Sequence, residues 1–292
     1  MLIDFVSSEE FNGQPDGFEY VPTGHFYSAV PSTEERELFR PVYPGNDLIP
    51  GIELNSAQQF DLLGQFKPYH DECPFPEHKE PGRRFYFENP AYSYTDALTL
   101  YSMMRHFKPR RIIEVGSGFS SCVTLDTNDL YFDGALELTF IEPFPELLDS
   151  LLDADDHHHR ILRVKLQDIG REIFGELEEN DILFIDSTHV AKLGSDVVRI
   201  FFEILPSLKK GVLIHFHDIF WPFEYPADWI REGRAWNEIY LLRSFLQYNR
   251  SFEVLFFASF LHHRHEAWIR KHLPLYLKNR GGNFWMRKTA DG

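Results

Sequence analysis

Residues 111–121 read RIIEVGSGFSS, and the fold follows from how that stretch is taken. Arg111-Ile112-Ile113-Glu114-Val115 is a short apolar run, preceded by Pro109 and closed by glycine, which predicts a buried strand. Gly116 and Gly118 let the backbone turn tightly, and the residues from Phe119 open a helix. Such a helix start presents free N–H groups beside a loop that a ligand can approach closely. A plain strand-to-helix turn carries similar letters, so the stretch acquires meaning only from its surroundings.

Outward from it, short apolar runs recur at 138–141, 161–164, 182–185 and 212–216, separated by helix-length segments. Leu100, Met103, Met104 and Phe107 share a helix face upstream; Val197, Ile200, Phe201, Ile204 and Leu205 share another, ending near Pro206 and Gly211. Strands alternating with helices predict an α/β fold, a parallel sheet covered on both faces. Residues 252–257 and 283–287 read as two last strands joined by a helical insert around 268–277. Residues 1–90, rich in Pro, Gly, Tyr and Phe, predict an N-terminal cap of loops and short helices, with 55–66 helical. Residues 91–292 form the main domain on this reading.

Net charge is −16, so nucleic acid and anionic membrane surfaces are disfavoured as partners. No apolar run is long enough to cross a bilayer, and MLIDFVSSEE does not read as a secretory signal. Cys73 and Cys122 stand far apart and suggest neither a disulfide framework nor a thiolate zinc site. The expectation is a cytoplasmic enzyme. Its aromatic share of 16% is enough to line a large surface or core, and the aromatic cap offers a surface for a homo-oligomer.

Acidic residues fall where a nucleoside would need them. Glu142 ends the second strand, roughly two dozen residues past the glycines, where an acid holds ribose hydroxyls. Asp168 follows the third strand, placed for an adenine amino group. Both, like the glycine loop, lie at carboxyl ends of parallel strands, the ligand side of such sheets. A dinucleotide oxidoreductase using NAD competes for these features. Its loop needs a third glycine for close helix packing, and here Ser120 stands in that region.

Glu114-Val115-Gly116-Ser117-Gly118 resembles motif I of class I S-adenosylmethionine-dependent methyltransferases. DILFIDSTHVAKLGSDV (181–197) is similar to their fourth-strand motif, GVLIHFHDIFWPFEYP (211–226) to the fifth, and GGNFWMRK (281–288) to the antiparallel last strand. The resemblance covers about 92–288 and is greatest to the methyltransferase-24-like group of small-molecule and sugar O-methyltransferases. It implies a Rossmann-like sheet, mostly parallel with an antiparallel last strand, and S-adenosyl-L-methionine as cofactor. The cofactor residues so implied are Glu114, Gly116, Ser117, Gly118, Ser120, Glu142, Asp168 and Asp186. The acceptor implied is a small molecule or saccharide. A non-catalytic nucleoside-binding or regulatory module on the same fold is the alternative.

Methyl transfer to a hydroxyl needs alignment and a proton acceptor. Asp186 and His189 end the fourth strand, and His215, His217 and Asp218 end the fifth. Strand alternation puts His215 and His217 on one face and Asp218 on the other. His189 or His217 is the candidate base, with Asp218 orienting it. Asp186 and Asp218 are similar to the carboxylate pair that holds Mg2+ in catechol-type enzymes, although Ile219 stands where those carry an Asn ligand. Asp155 to His159 reads as a solvated connection before the third strand. His262, His263 and His265 are available for substrate contacts. Residues 221–237 read as a lid or acceptor platform offering Glu224, Tyr225 and Arg234, and Gly24-His25-Phe26-Tyr27 in the cap as a segment able to close over the same site.

Overall fold

The computed structural model describes residues 20–41, 43–44, 48–152, 156 and 159–291. They gather into two compact units, the smaller drawn from Met1–Arg40 and Ala227–Ala235, the larger from Pro41–Pro226 and Trp236–Gly292. Residues 41–90 are counted with the larger unit.

In the smaller unit, helix Thr33–Leu38 is closed by a capping box. Ser32 Oγ accepts from Glu35 N at 3.1 Å, and Glu35 Oε2 accepts from Ser32 N at 2.7 Å. His25, Phe26 and Tyr27 form a ring cluster with Phe26 exposed. Arg234 stacks over Trp229.

The larger unit is built on a seven-stranded sheet: β1 (Arg111–Val115), β2 (Glu137–Ile141), β3 (His159–Leu162), β4 (Ile182–Ile185), β5 (Leu213–Phe216), β6 (Phe252–Phe257) and β7 (Phe284–Lys288). The spatial order is β3-β2-β1-β4-β5-β7-β6. β1 to β5 pair in parallel, and β7 runs antiparallel to both β5 and β6. β4 and β5 are buried throughout, which explains why β4 reads as an unbroken apolar run and β5 as one broken only by His215, rather than as alternating strands. The order reverses between β1 and β4, so a crevice opens at their carboxyl ends, where open α/β sheets take ligands.

Helix Tyr94–Phe107 buries Leu100, Met103 and Met104 fully. It stops at Lys108, whose left-handed backbone precedes Pro109. Helix Ser56–Gln65 occupies the stretch predicted helical. Helix Asp196–Arg199 continues through a wider turn, Ile200–Ile204, and its start is capped by Ser195 Oγ accepting from Val198 N.

Three sequence expectations are corrected here. β3 starts at His159, paired with Leu138, so that histidine is in the sheet and not in the connection before it. Asp156 is ion-paired with Arg84 with its side chain 8% exposed, not solvated; Asp155, His157 and His158 lie outside the described residues. The insert between β6 and β7 is helical over Ala258–His272, beginning about ten residues earlier than its apolar pattern suggests, and a tight turn follows at Pro274–Lys278.

Candidate active site

The sheet ladder itself carries the backbone into the site. Gly116 N donates to Ile141 O at 3.0 Å, Asp186 N to Val115 O at 2.8 Å, and His217 N to Ile185 O at 2.9 Å. Gly116 has φ +80°, and a Cβ there would collide with the carbonyl oxygen of Asp186. Only glycine lets β1 and β4 release their chains this close together.

Glu142 is half-buried beside the loop. Its carboxylate accepts from Ser117 N at 3.0 Å and Phe144 N at 2.8 Å, which fixes the loop against the end of β2. Asp168 is exposed in a short turn after β3. Glu114 and Ser120 lie beneath the loop. Glu114 is fully buried, and its Oε1 accepts from Ser120 Oγ at 2.6 Å and Ser121 Oγ at 2.9 Å. Its other oxygen is buried with no hydrogen-bond partner among the described residues. Burial, with the charges of Asp186 and Glu142, pushes the Glu114 carboxyl up to about 8 against the two serine bonds. An open, backbone-lined turn beside the Glu142 carboxylate suits an adenosine-bearing ligand.

At the ends of β4 and β5, Asp186, His189, His217 and Asp218 converge. His189 Nε2 lies 3.2 Å from Asp186 Oδ1 and 3.6 Å from Asp218 Oδ2. His217 Nδ1 lies 3.6 Å from Asp186 Oδ1 and 3.4 Å from Asp218 Oδ1. Asp218 therefore faces the same cluster as His217, not the opposite side as strand alternation predicts. β5 ends at Phe216, and Asp218 takes a left-handed backbone with φ 58°, which swings its side chain around. His215 is the residue left out: it is fully buried, stacked on Phe184 at 3.9 Å between ring centres. Burial keeps its imidazole well below the usual value.

Two buried acids that the sequence did not single out complete the cluster. Glu238, fully buried, accepts from Ser187 Oγ at 2.9 Å and sits 2.9 Å from His189 Nδ1. Asp96 accepts from Gly282 N at 2.8 Å and Asn283 Nδ2 at 2.9 Å, and faces His217 Nε2 at 3.9 Å. Each stands in the first turn of a helix, where an acid is ordinarily read as a partner of the helix dipole, so no sequence signal separates them.

Burial disfavours a charged His189, but Asp186 and Glu238 outweigh it and raise the imidazole to about 10. His217 is likewise held well above its usual value against burial, chiefly by Asp218 and Asp186. Burial works the other way on Asp218, raising its carboxyl. Asp186, His217 and Asp218 each offer one ligand atom, all within 4.8 Å of one another. His217 is 8% exposed, and neither ring nitrogen has a hydrogen-bond partner among the described residues. Such a donor set is able to hold a divalent cation.

Residues 113–219, spanning β1 to the end of β5, match the family described as a methyltransferase domain. A protein of uncharacterized function from Archaeoglobus fulgidus is 33% identical over 170 residues, covering 55% of this chain and 75% of the relative. The chain belongs to the class I S-adenosylmethionine-dependent methyltransferases. Among solved structures, the methyltransferase is similar to an SAH-bound methyltransferase from Podospora anserina, with 13% identity, 86% of this chain and 100% of that chain covered, and a TM-score of 0.43. It is also similar to the SAM-bound O-methyltransferase of tomaymycin synthesis from Streptomyces achromogenes, with 13% identity, 81% and 97% covered, and a TM-score of 0.38. Among the described residues of the methyltransferase, no helix is long and apolar enough to cross a membrane.

Proposed function

We propose that this methyltransferase transfers a methyl group from S-adenosylmethionine to a hydroxyl of a small polar molecule. The observation that carries the reading is the convergence of Asp186, His189, His217 and Asp218 beside the glycine turn at the reversal of strand order. A purely nucleoside-binding module would need the turn and Glu142 but not that cluster. Bound there, S-adenosylmethionine supplies a methyl carbon activated by a sulfonium; the C–S bond breaks as the O–C bond forms, leaving a neutral thioether. The protein's task is to align the hydroxyl and take its proton.

Glu142 would hold the ribose hydroxyls and Asp168 the adenine edge, with the 116–118 backbone turn between them. Glu114 and Ser120 act from below, by shaping that turn. His189 takes the hydroxyl proton, oriented through Nδ1 by Glu238 rather than by Asp218. It carries a proton of its own while Asp186 is uncompensated, so it becomes an acceptor once positive charge sits beside that carboxylate. His189→Ala is expected to lower turnover at least about 100-fold, with S-adenosylhomocysteine affinity by calorimetry little changed. Full turnover in that variant, with any acceptor, would remove His189 from the reaction.

A divalent ion on Asp186, His217 and Asp218 is a second reading, favoured by the convergence of one ligand atom from each of the three side chains. Carboxylates suit Mg2+ and Mn2+, and an imidazole extends the choice toward Mn2+. Such an ion would polarise the acceptor hydroxyl and supply the positive charge that His189 needs. Calorimetric titration with each metal alone tests it: binding should be seen in the wild type and lost in Asp218→Asn.

A further inference from the structure

One hydrogen bond does not fix an imidazole. The outer torsion of histidine is broad and roughly two-fold, so a ring held only at Nδ1 by Glu238 swings about that bond. Nε2 swings with it, and Nε2 is the atom that lies 3.2 Å from Asp186 Oδ1 and, in the reaction proposed above, meets the acceptor hydroxyl. The remaining restraints on His189 come from two residues just before Glu238, at the start of helix Glu238–Leu246.

The backbone is held first. His189 has φ 59°, a left-handed state that costs a side-chain-bearing residue free energy unless its surroundings enforce it. Its carbonyl accepts from Asn237 N at 3.0 Å and Glu238 N at 3.1 Å. Asn237 stands at the cap position but makes no cap bond with its side chain. Instead Asn237 Oδ1 accepts from Ala191 N at 2.6 Å, and Asn237 Nδ2 donates to Ala191 O at 3.3 Å. The helix start and the loop that carries His189 thus satisfy each other's backbone groups. The ring is held next. The Trp236 indole lies over the imidazole, with ring centres 4.4 Å apart and planes at 33°. Trp236 is itself set edge-on against buried Tyr225, whose hydroxyl accepts from Ile239 N at 3.3 Å.

We propose that Trp236 and Asn237 are positioning residues for His189, Asn237 setting its backbone and Trp236 the plane of its ring. The inference rests on the methyl-transfer reading for the purpose of that orientation, not for the contacts. Glu238 restrains the ring within its plane and Trp236 restrains tilting out of it, so neither replaces the other. A proton acceptor works only when its lone pair is aimed in advance, and small misplacements are costly. The end of the 221–237 stretch thereby supports the base from behind, a task different from that of a lid or acceptor platform.

Proton NMR of the free, full chain with 15N-labelled histidine tests this. The His189 Nδ1–H should give a low-field line in slow exchange with water, assigned by its loss in His189→Asn. In Trp236→Leu that exchange should quicken about fivefold, the order expected for loss of one aromatic contact, and Trp236→Phe should restore most of it. Asn237→Ala should quicken it too, which keeps the test valid if Trp236→Leu does not fold. Arg84→Ala, which weakens the fold away from this loop, should leave the line unmoved. A wild-type chain without the protected line overturns the proposal. So does a wild-type exchange rate in Trp236→Leu or, should that variant not fold, in Asn237→Ala, or an Arg84→Ala variant that quickens exchange as much. Failure of the wild type to bind S-adenosylhomocysteine in calorimetry overturns the methyl-transfer reading instead.

Discussion

Gly116 and Glu114 show how much a single position carries. An Ala at 116 adds a Cβ against the Asp186 carbonyl at a φ of +80°, and displacing that backbone moves the loop and the first reactive carboxylate together. Gly116→Ala should cost about 1–3 kcal/mol of stability and abolish S-adenosylhomocysteine binding; urea melts and calorimetry check both, and wild-type affinity would show that the close approach does not matter. Glu114, raised to about 8, keeps its proton in the folded chain over a range where the unfolded chain has lost it. Stability linked to this group therefore falls as pH rises from about 4.5 towards 8. Gln keeps an oxygen for Ser120 and Ser121 but has no proton to lose. Melting of Glu114→Gln against wild type should favour the variant increasingly between pH 5 and pH 8; a gap that does not change with pH would mean that Glu114 ionises freely.

At the scale of elements, the central strands were legible because strands buried on both faces are mostly apolar: β4 is wholly so, and β1 and β5 each carry one buried polar residue, Glu114 and His215. The edge strand β3 is only half-buried, so its apolar signal is weak and its start at His159 was missed. Arg84 illustrates a tie between elements that no local pattern announces. Its guanidinium bonds Asp126 at 2.8 Å and Asp129 at 2.9 Å on helix Phe119–Tyr131, and Asp156 beyond β2. Asp126 is buried, so Arg84→Ala strands a carboxylate away from water and should cost about 3–5 kcal/mol. Breaking the exposed Lys67–Asp71 pair by Lys67→Ala should cost far less, because water screens both groups. Urea denaturation of both variants decides it, and equal losses would show that the Arg84 network is no stronger than a surface pair.

For the whole molecule, a net charge of −16 means that folding brings like charges together. Raising salt from low to physiological ionic strength should lift the melting temperature by screening them; a fall would mean that favourable ion pairs dominate. Which central segments form strands and where the glycine turn falls were legible in the sequence alone, because hydrophobic period and glycine placement are local properties of the chain. The partners of the reactive side chains were not. Glu238 and Asp96 reach His189 and His217 from helices distant in sequence, and Asp218 joins them through a left-handed residue just past β5. A cavity lined by Phe220, Trp221, His262 and Arg280 is likewise assembled from segments on either side of β6. Side-chain neighbours of that kind are set by how buried charges find one another on folding, and only the tertiary structure decides it.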